Sequence, residues 1–130
     1  IGELFGQMEV AHGKRNPADE ARLDADFHLA IIEAGHNVIM LHMMRSMYQL
    51  LREGVFYNRS VMFKQRTTRE ALLDQHRAIN TALQARDPKA ARAAVEAHLS
   101  YVEDALAADR QAERDEDIAR QRFERVRTKG

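Results

Sequence analysis

Three histidines and one aspartate stand in this chain where helical periodicity calls for aliphatic side chains. Asp24 and His28 are four apart in the pattern Leu23, Phe27, Ala30, Ile31, Ala34, so both rise from one face of one helix. His76 falls in the stripe Leu72, Leu73, Ile79, Leu83, and His98 in the stripe Ala91, Ala94, Val95, Val102, Ala105, each at the spacing of a buried helical seam. A single inward histidine is accounted for by a hydrogen bond to a neighbour. Three imidazoles and a carboxylate buried without partners would cost roughly several kcal/mol, whereas one divalent cation satisfies the anion and a nitrogen lone pair of each ring. Asp24, His28, His76 and His98 are therefore the candidate metal ligands.

Elements that could carry these residues are legible in the same way. Few glycines, two prolines near helix starts and no alternating strand pattern indicate an all-α chain. About five helices are expected. The first runs from about Gly2 to His12 and stops at Gly13 as a left-handed residue; the second runs from about Pro17 to Gly35. Asn37 caps a third that extends to about Phe63, with Gly54 a soft point, and Thr67 or Thr68 caps a fourth ending near Arg86. Asp87 and Pro88 open the fifth. Ile39, Met40, Met43, Met44, Met47, Leu50 and Leu51 give the third helix a broad apolar surface, expected to be central and mostly buried, with methionine as core filler; a face that adapts to a partner or ligand is the alternative. On its polar stripe of His42, Arg45, Gln49 and Arg52, a solvated face is one reading. Arg45, set among methionines, could instead reach a cavity and grip a ligand carboxylate with two hydrogen bonds, which makes it the candidate ligand-binding residue. His12 and His36 sit at helix ends, where imidazolium complements exposed carbonyls, and stay outside the site.

Composition narrows the function classes. The chain has 130 residues, enough for one hydrophobic core and one domain. Twenty basic residues balance twenty acidic ones, so no overall field draws nucleic acid or an anionic membrane. Cysteine is absent, which excludes thiolate ligands and agrees with a reducing, cytoplasmic setting. The apolar stretch from Asn37 to Leu51 is broken by His42, Arg45 and Gln49 and is too short and polar to span a membrane, and no signal peptide is expected. Beginning at Ile1, the chain reads as a piece of a longer protein. Beyond Ala107 it becomes a mixture of Arg, Asp and Glu, expected to be a charged helical or disordered extension over 107–130 after a domain over 1–106. Gly-rich phosphate loops, a nucleophile elbow and an HExxH helix are missing.

In order, the runs Asp24-Ala-Asp-Phe27-His28-Leu-Ala-Ile31, Asn37, Asp74-Gln-His76-Arg-Ala-Ile79, Arg86-Asp87-Pro-Lys-Ala-Ala91 and His98-Leu99 resemble the FadR C-terminal domain (FCD) family, the effector-sensing domains of GntR-type transcription regulators. The segment from Phe27 to Met47 is most similar to the lactate- and pyruvate-responsive branch. The resemblance covers about Ala21 to Leu106. It implies an antiparallel helical bundle in which Asp24, His28, His76 and His98 bind a divalent metal, with zinc named first and nickel, manganese or iron as alternatives. It also implies a homodimer and an N-terminal winged helix-turn-helix that contacts DNA. Neither that domain nor the family's opening sensor helix, with its Arg and Glu, precedes Gly2, so this is an incomplete sensor domain whose own contact with DNA is not expected.

The function this implies is sensing of a small carboxylic acid, a 2-hydroxy or 2-oxo acid such as lactate, pyruvate or glycolate, at the metal, and its transmission to a DNA-binding domain. Three alternatives remain at this point, one of them a structural or interaction bundle in which the histidines are core residues and no metal binds. A metal that only staples the bundle uses the same four residues. A metalloenzyme would need a spare base, and Glu33, five residues beyond His28, projects from another side of its helix, so no catalytic residue is assigned.

Overall fold

In the computed structural model, which describes residues 1–62 and 66–128, the chain forms six helices and, among the described residues, no strand. They are α1 (Gly2–Lys14), α2 (Pro17–Ala34), α3 (Val38–Ser46), α4 (Tyr48–Met62), α5 (Arg66–Gln84) and α6 (Pro88–Thr128). Phe63 as a helix end, and the side chains of Leu51 and Thr67, lie outside what is described.

Local chemistry sets most of the boundaries. Asn16 caps α2 by accepting from the Asp19 N–H at 3.3 Å, with Pro17 supplying a pre-set first residue. Asn37 caps α3 by accepting from Met40 N–H at 3.0 Å, and Asp87 caps α6 by accepting from Ala90 N–H at 3.0 Å. The left-handed positions at helix ends are taken by Arg15, His36 and Arg86. Gly13 was expected in that role but lies within α1, which runs one residue past it to Lys14 and turns at Arg15. Thr68 lies inside the first turn of α5 and is buried there rather than standing ahead of the helix as its cap.

Packing follows the amphipathic faces. α1 lies against α2 and α5, α2 against α4, and α5 against α6, with α4 also touching α6. Phe5, Met8 and Ala11 of α1 meet Leu23 and Phe27 of α2 and Ile79 of α5 in one core. Phe27 and Ile79 are fully buried, and each such side chain contributes roughly 1.5–3 kcal/mol. This shared core holds α2, α5 and α6 in fixed register, and those are the helices that carry the four candidate ligands.

Two expectations about the middle of the chain are corrected. The single helix expected from Asn37 to Phe63 is two, because the backbone leaves helical geometry at Met47 (φ −100°, ψ 6°), whose N–H turns back to Met43 O. The apolar face expected to be buried is largely outside: Ile39 is 74%, Met43 54% and Leu50 63% exposed. Among the described residues α3 packs mainly along α2 and α4, which leaves much of its apolar surface exposed. The charged C-terminal segment is helical, and α6 at 41 residues is roughly 60 Å long, with every residue from Arg110 to Thr128 exposed.

Candidate metal centre and adjoining cavity

Asp24 and His28 occupy successive turns of α2, His76 comes from the middle of α5, and His98 from the third turn of α6. His76 is fully buried and His98 3% exposed, while His28 is part-buried at the edge of the cluster. The four side chains meet. Nε2 of His28 and Nε2 of His76 are 3.5 Å apart, and Oδ1 of Asp24 lies 3.1 Å from the first and 3.3 Å from the second. A ring nitrogen of each of His28, His76 and His98 lies within 4.8 Å of the other two, a grouping that could hold a metal ion and that Asp24 adjoins through His28 and His76. A cation with bonds of about 2.0–2.2 Å holds neighbouring donors roughly 3.3–3.6 Å apart in tetrahedral geometry and roughly 2.8–3.1 Å apart at right angles. The three shortest donor separations lie within those edges.

Ring orientation supports the same reading. His28 and His98 stack with centroids 5.4 Å apart, and His76 tilts toward His98 at 4.4 Å. Phe27 meets His76 edge-on at 5.4 Å and closes the core side of the cluster. Nδ1 of His98 donates to Oε1 of Gln75 at 2.8 Å, a tautomer that leaves the lone pair on Nε2. Nδ1 of His76 is buried with no partner among the described residues. Its Nε2 faces Asp24 Oδ1 and His28 Nε2.

Electrostatics prepare the groups for ligation. Burial pushes the Asp24 carboxyl up, but His76, the bonds from His28 and His76, and Arg59 outweigh it and hold the carboxyl well below its usual range. Burial, reinforced by His76 and His28, pushes His98 down to about 3, so that ring is neutral near pH 7. A charged carboxylate and a neutral imidazole are the forms that bind a metal.

A cavity of about 430 Å³ opens beside the cluster. Asp24, His28, His98, Asn58 and Arg59 form its polar side; Ile32, Met44, Val55, Leu72, Leu99 and Val102 form the apolar wall. A mainly apolar pocket with a few convergent polar groups is the usual form of a small-ligand site. Behind the polar side runs a buried ion network. Arg59 Nε donates to Asp24 Oδ2 at 2.7 Å and its Nη1 to Glu20 Oε2 at 3.4 Å, while Arg69 Nη2 donates to Glu20 Oε1 at 2.5 Å and to His12 O at 3.2 Å. Two carboxylates thus face two guanidinium groups.

Arg45 does not reach this cavity. It lies on the outer surface with Nη2 3.2 Å from Glu33 Oε1, and both side chains are more than half exposed. Its neighbour Met44 takes the inward position, and one residue of helix rotates the next side chain by about 100°. The cavity arginine is Arg59 of α4, which was not singled out from the sequence. One signal was present: Glu20, Asp24 and His28 follow one another at intervals of four, so two acidic groups share the inward face of α2 and call for a buried cation.

Comparison with known proteins gives the family of this helical fold. Residues 1–101 match the model of the FCD domain. The chain is 38% identical over 87 residues, 67% of its length and 34% of the relative's, to a protein of Escherichia coli K12 named "Putative L-lactate dehydrogenase operon regulatory protein". It is 35% identical over 86 residues (65% of this chain, 39% of the relative) to the HTH-type transcriptional regulator LutR of Bacillus subtilis 168. Over 84 residues (65% and 33%) it is 30% identical to the Glc operon transcriptional activator of Escherichia coli K12. The chain spans only about a third of the length of these relatives, all of which are named as regulators. With most of its length matching that one domain, the chain belongs to the FCD domain family.

Proposed function

We propose that this chain is the effector-sensing domain of a GntR-type transcription regulator, and that it binds a small 2-hydroxy or 2-oxo acid at a divalent metal held by Asp24, His28, His76 and His98. The observation that carries the reading is that Asp24, His28 and His76 approach one another at 3.1–3.5 Å, with a ring nitrogen of His98 within 4.8 Å of those of both histidines, beside a cavity that Asp24, His28 and His98 line. Nitrogen and carboxylate donors suit zinc, and also nickel, manganese or iron(II). When bound, such an ion supplies an electrophilic centre for a carboxylate and an adjacent oxygen.

The protein's own groups favour an anion there. Among the described contacts, Glu20, Asp24, Arg59 and Arg69 carry two negative and two positive charges, and His98 is neutral, so these groups balance one another. A divalent cation added to this set leaves a buried positive excess that an incoming carboxylate offsets. Ile32, Met44, Val55 and Leu72 exclude water from the rest of the cavity and suit a short alkyl group. The names of the relatives, operon regulators connected with L-lactate dehydrogenase among them, support the same class of effector.

In this reading the ligand's unequal affinity for two arrangements of α2, α5 and α6 is passed to a DNA-binding domain outside these 130 residues, and the regulator acts as a homodimer. Among the described residues no helix is long and apolar enough to cross a membrane. The test is elemental analysis of purified protein, followed by a thermal-shift panel of lactate, pyruvate, glycolate, citrate and sugar acids on metal-loaded protein. Stoichiometric metal and a metal-dependent shift with a small hydroxy or oxo acid are expected. Metal without any effector shift would leave a metal-stapled bundle, and no metal at all would remove the site.

A further inference from the structure

We infer that the projecting end of α6 is an interaction surface for a second copy of this chain, the two helices pairing antiparallel about a two-fold axis between Asp117 and Ile118. The inference goes beyond the sensing role and holds whether or not a metal binds. Every buried or half-buried residue of α6 precedes Arg110, and the stretch from Arg110 to Thr128 is exposed throughout, with Phe123 at 67% and Val126 at 75%. That stretch is roughly 28 Å long. A helix gains most of its stability in water from packing an apolar face, and this one has none packed.

A seam runs along it. Ala112, Ala119 and Val126 recur every seven residues, and Phe123 takes the second seam position, four residues after Ala119 and three before Val126. Asp109 and Glu116 hold that second position in the two preceding heptads, so the seam is small and acidic in its first half and large in its second. Parallel pairing would set Phe123 against Phe123 and Glu116 against Glu116. Antiparallel pairing about the stated axis sets Phe123 of each copy over Ala112 of the other, where large fills small, and Glu116 over Ala119.

Charge commits the surface to a second copy in that one orientation. From Asp109 to Asp117 the helix carries net −3, and from Ile118 to Thr128 net +3. Antiparallel pairing lays each acidic half on a basic half, whereas parallel pairing lays like on like. The flanks of the seam agree with the same register. Glu113 faces Arg120 of the second copy on one flank and Asp115 faces Arg122 on the other, and the two-fold makes each pair twice. Ile118 points roughly 100° away from Ala119 and stands outside the seam. The axis lies far enough past His98 to hold the two histidine clusters roughly 60 Å apart, so pairing leaves the cavity uncovered.

The experiment is sedimentation equilibrium of the full chain and its variants in EDTA, at low and high salt, with circular dichroism as the check on helix content. Wild type should show a monomer–dimer equilibrium that weakens as salt is added. Arg122→Asp and Asp115→Arg each bring like charges face to face at both symmetry-related pairs, and each alone should weaken dimerisation about tenfold or more. Mixed with one another, or combined in one chain, they should restore it. Phe123→Ser should weaken pairing and Ile118→Ser should leave it unchanged. Orientation is read with cysteine, which the chain otherwise lacks. Positions 109 and 126 are about 25 Å apart along one helix, so Asp109→Cys and Val126→Cys should form a disulfide-linked dimer on oxidation only when the two variants are mixed. Cross-linking of either variant by itself, or none in the mixture, overturns the antiparallel register, as does a charge-swapped mixture that stays apart. A wild type that is monomeric at all concentrations, or a dimer indifferent to Arg122→Asp and Phe123→Ser, overturns the surface. Zinc and effector enter none of these readings, so the sensing role stands or falls separately.

Discussion

Removing the metal is the perturbation with the largest expected effect on the fold, because the four donors come from three helices that share one core. A ligand that binds only the folded state stabilises it by about 4.1 kcal/mol at a free concentration of 1,000 times its Kd. A domain of this length unfolds with an entropy of roughly 0.27 kcal/mol per kelvin near its midpoint, so that energy corresponds to a Tm about 15 °C higher than in chelator. Scanning calorimetry in EDTA and at graded zinc concentrations should show Tm rising with zinc to about this extent. His76→Ala separates ligation from packing. In EDTA it should cost only about 1–3 kcal/mol, since a fully buried ring is lost but a buried nitrogen without a described partner goes with it. With zinc present, the metal-dependent rise should disappear in that variant. A wild-type Tm indifferent to zinc, or a zinc response that survives His76→Ala, refutes the reasoning.

Two more outcomes follow from the same geometry. Gln75→Leu removes the acceptor that fixes the His98 tautomer, and zinc affinity, read by competition with a chromophoric chelator, should fall about 10- to 100-fold while the helical circular dichroism signal is retained. Metal-free protein should lose stability in acid. His98 is held at about 3 when folded against an ordinary value of 6.5, so the unfolded chain binds the extra proton between those values and stability declines as pH falls from 6.5 toward 3. The depressed Asp24 carboxyl adds a further loss below its ordinary value of 3.8, and urea titrations at pH 7.5, 5.5 and 4.5 in EDTA should give a falling midpoint.

The helical class, the caps at Asn37 and Asp87, and the four inward candidate ligands were legible in the chain because each depends on short-range spacing: an Asn or Asp three residues before an unsatisfied N–H, or a polar group at a seam position every third or fourth residue. Spacing could say which face of each helix was apolar. It could not say which faces would find a partner, and α3 with the start of α4 shows the difference: Ile39 and Met43 on α3 and Leu50 on α4 have core chemistry but are 74%, 54% and 63% exposed. The break at Met47 was hidden for the same reason, since no proline or glycine marks it and helix-forming residues continue on both sides. Choice of the cavity arginine was a tertiary decision as well. Arg45 and Arg59 both lie at helical spacing from apolar residues, and only the packing of α4 against α2 brings Arg59 to the carboxylates of Glu20 and Asp24, 39 and 35 residues away, while Arg45 turns outward to Glu33. Periodicity acts within one helix, whereas a charge network is assembled between helices, and that is where sequence alone stops deciding.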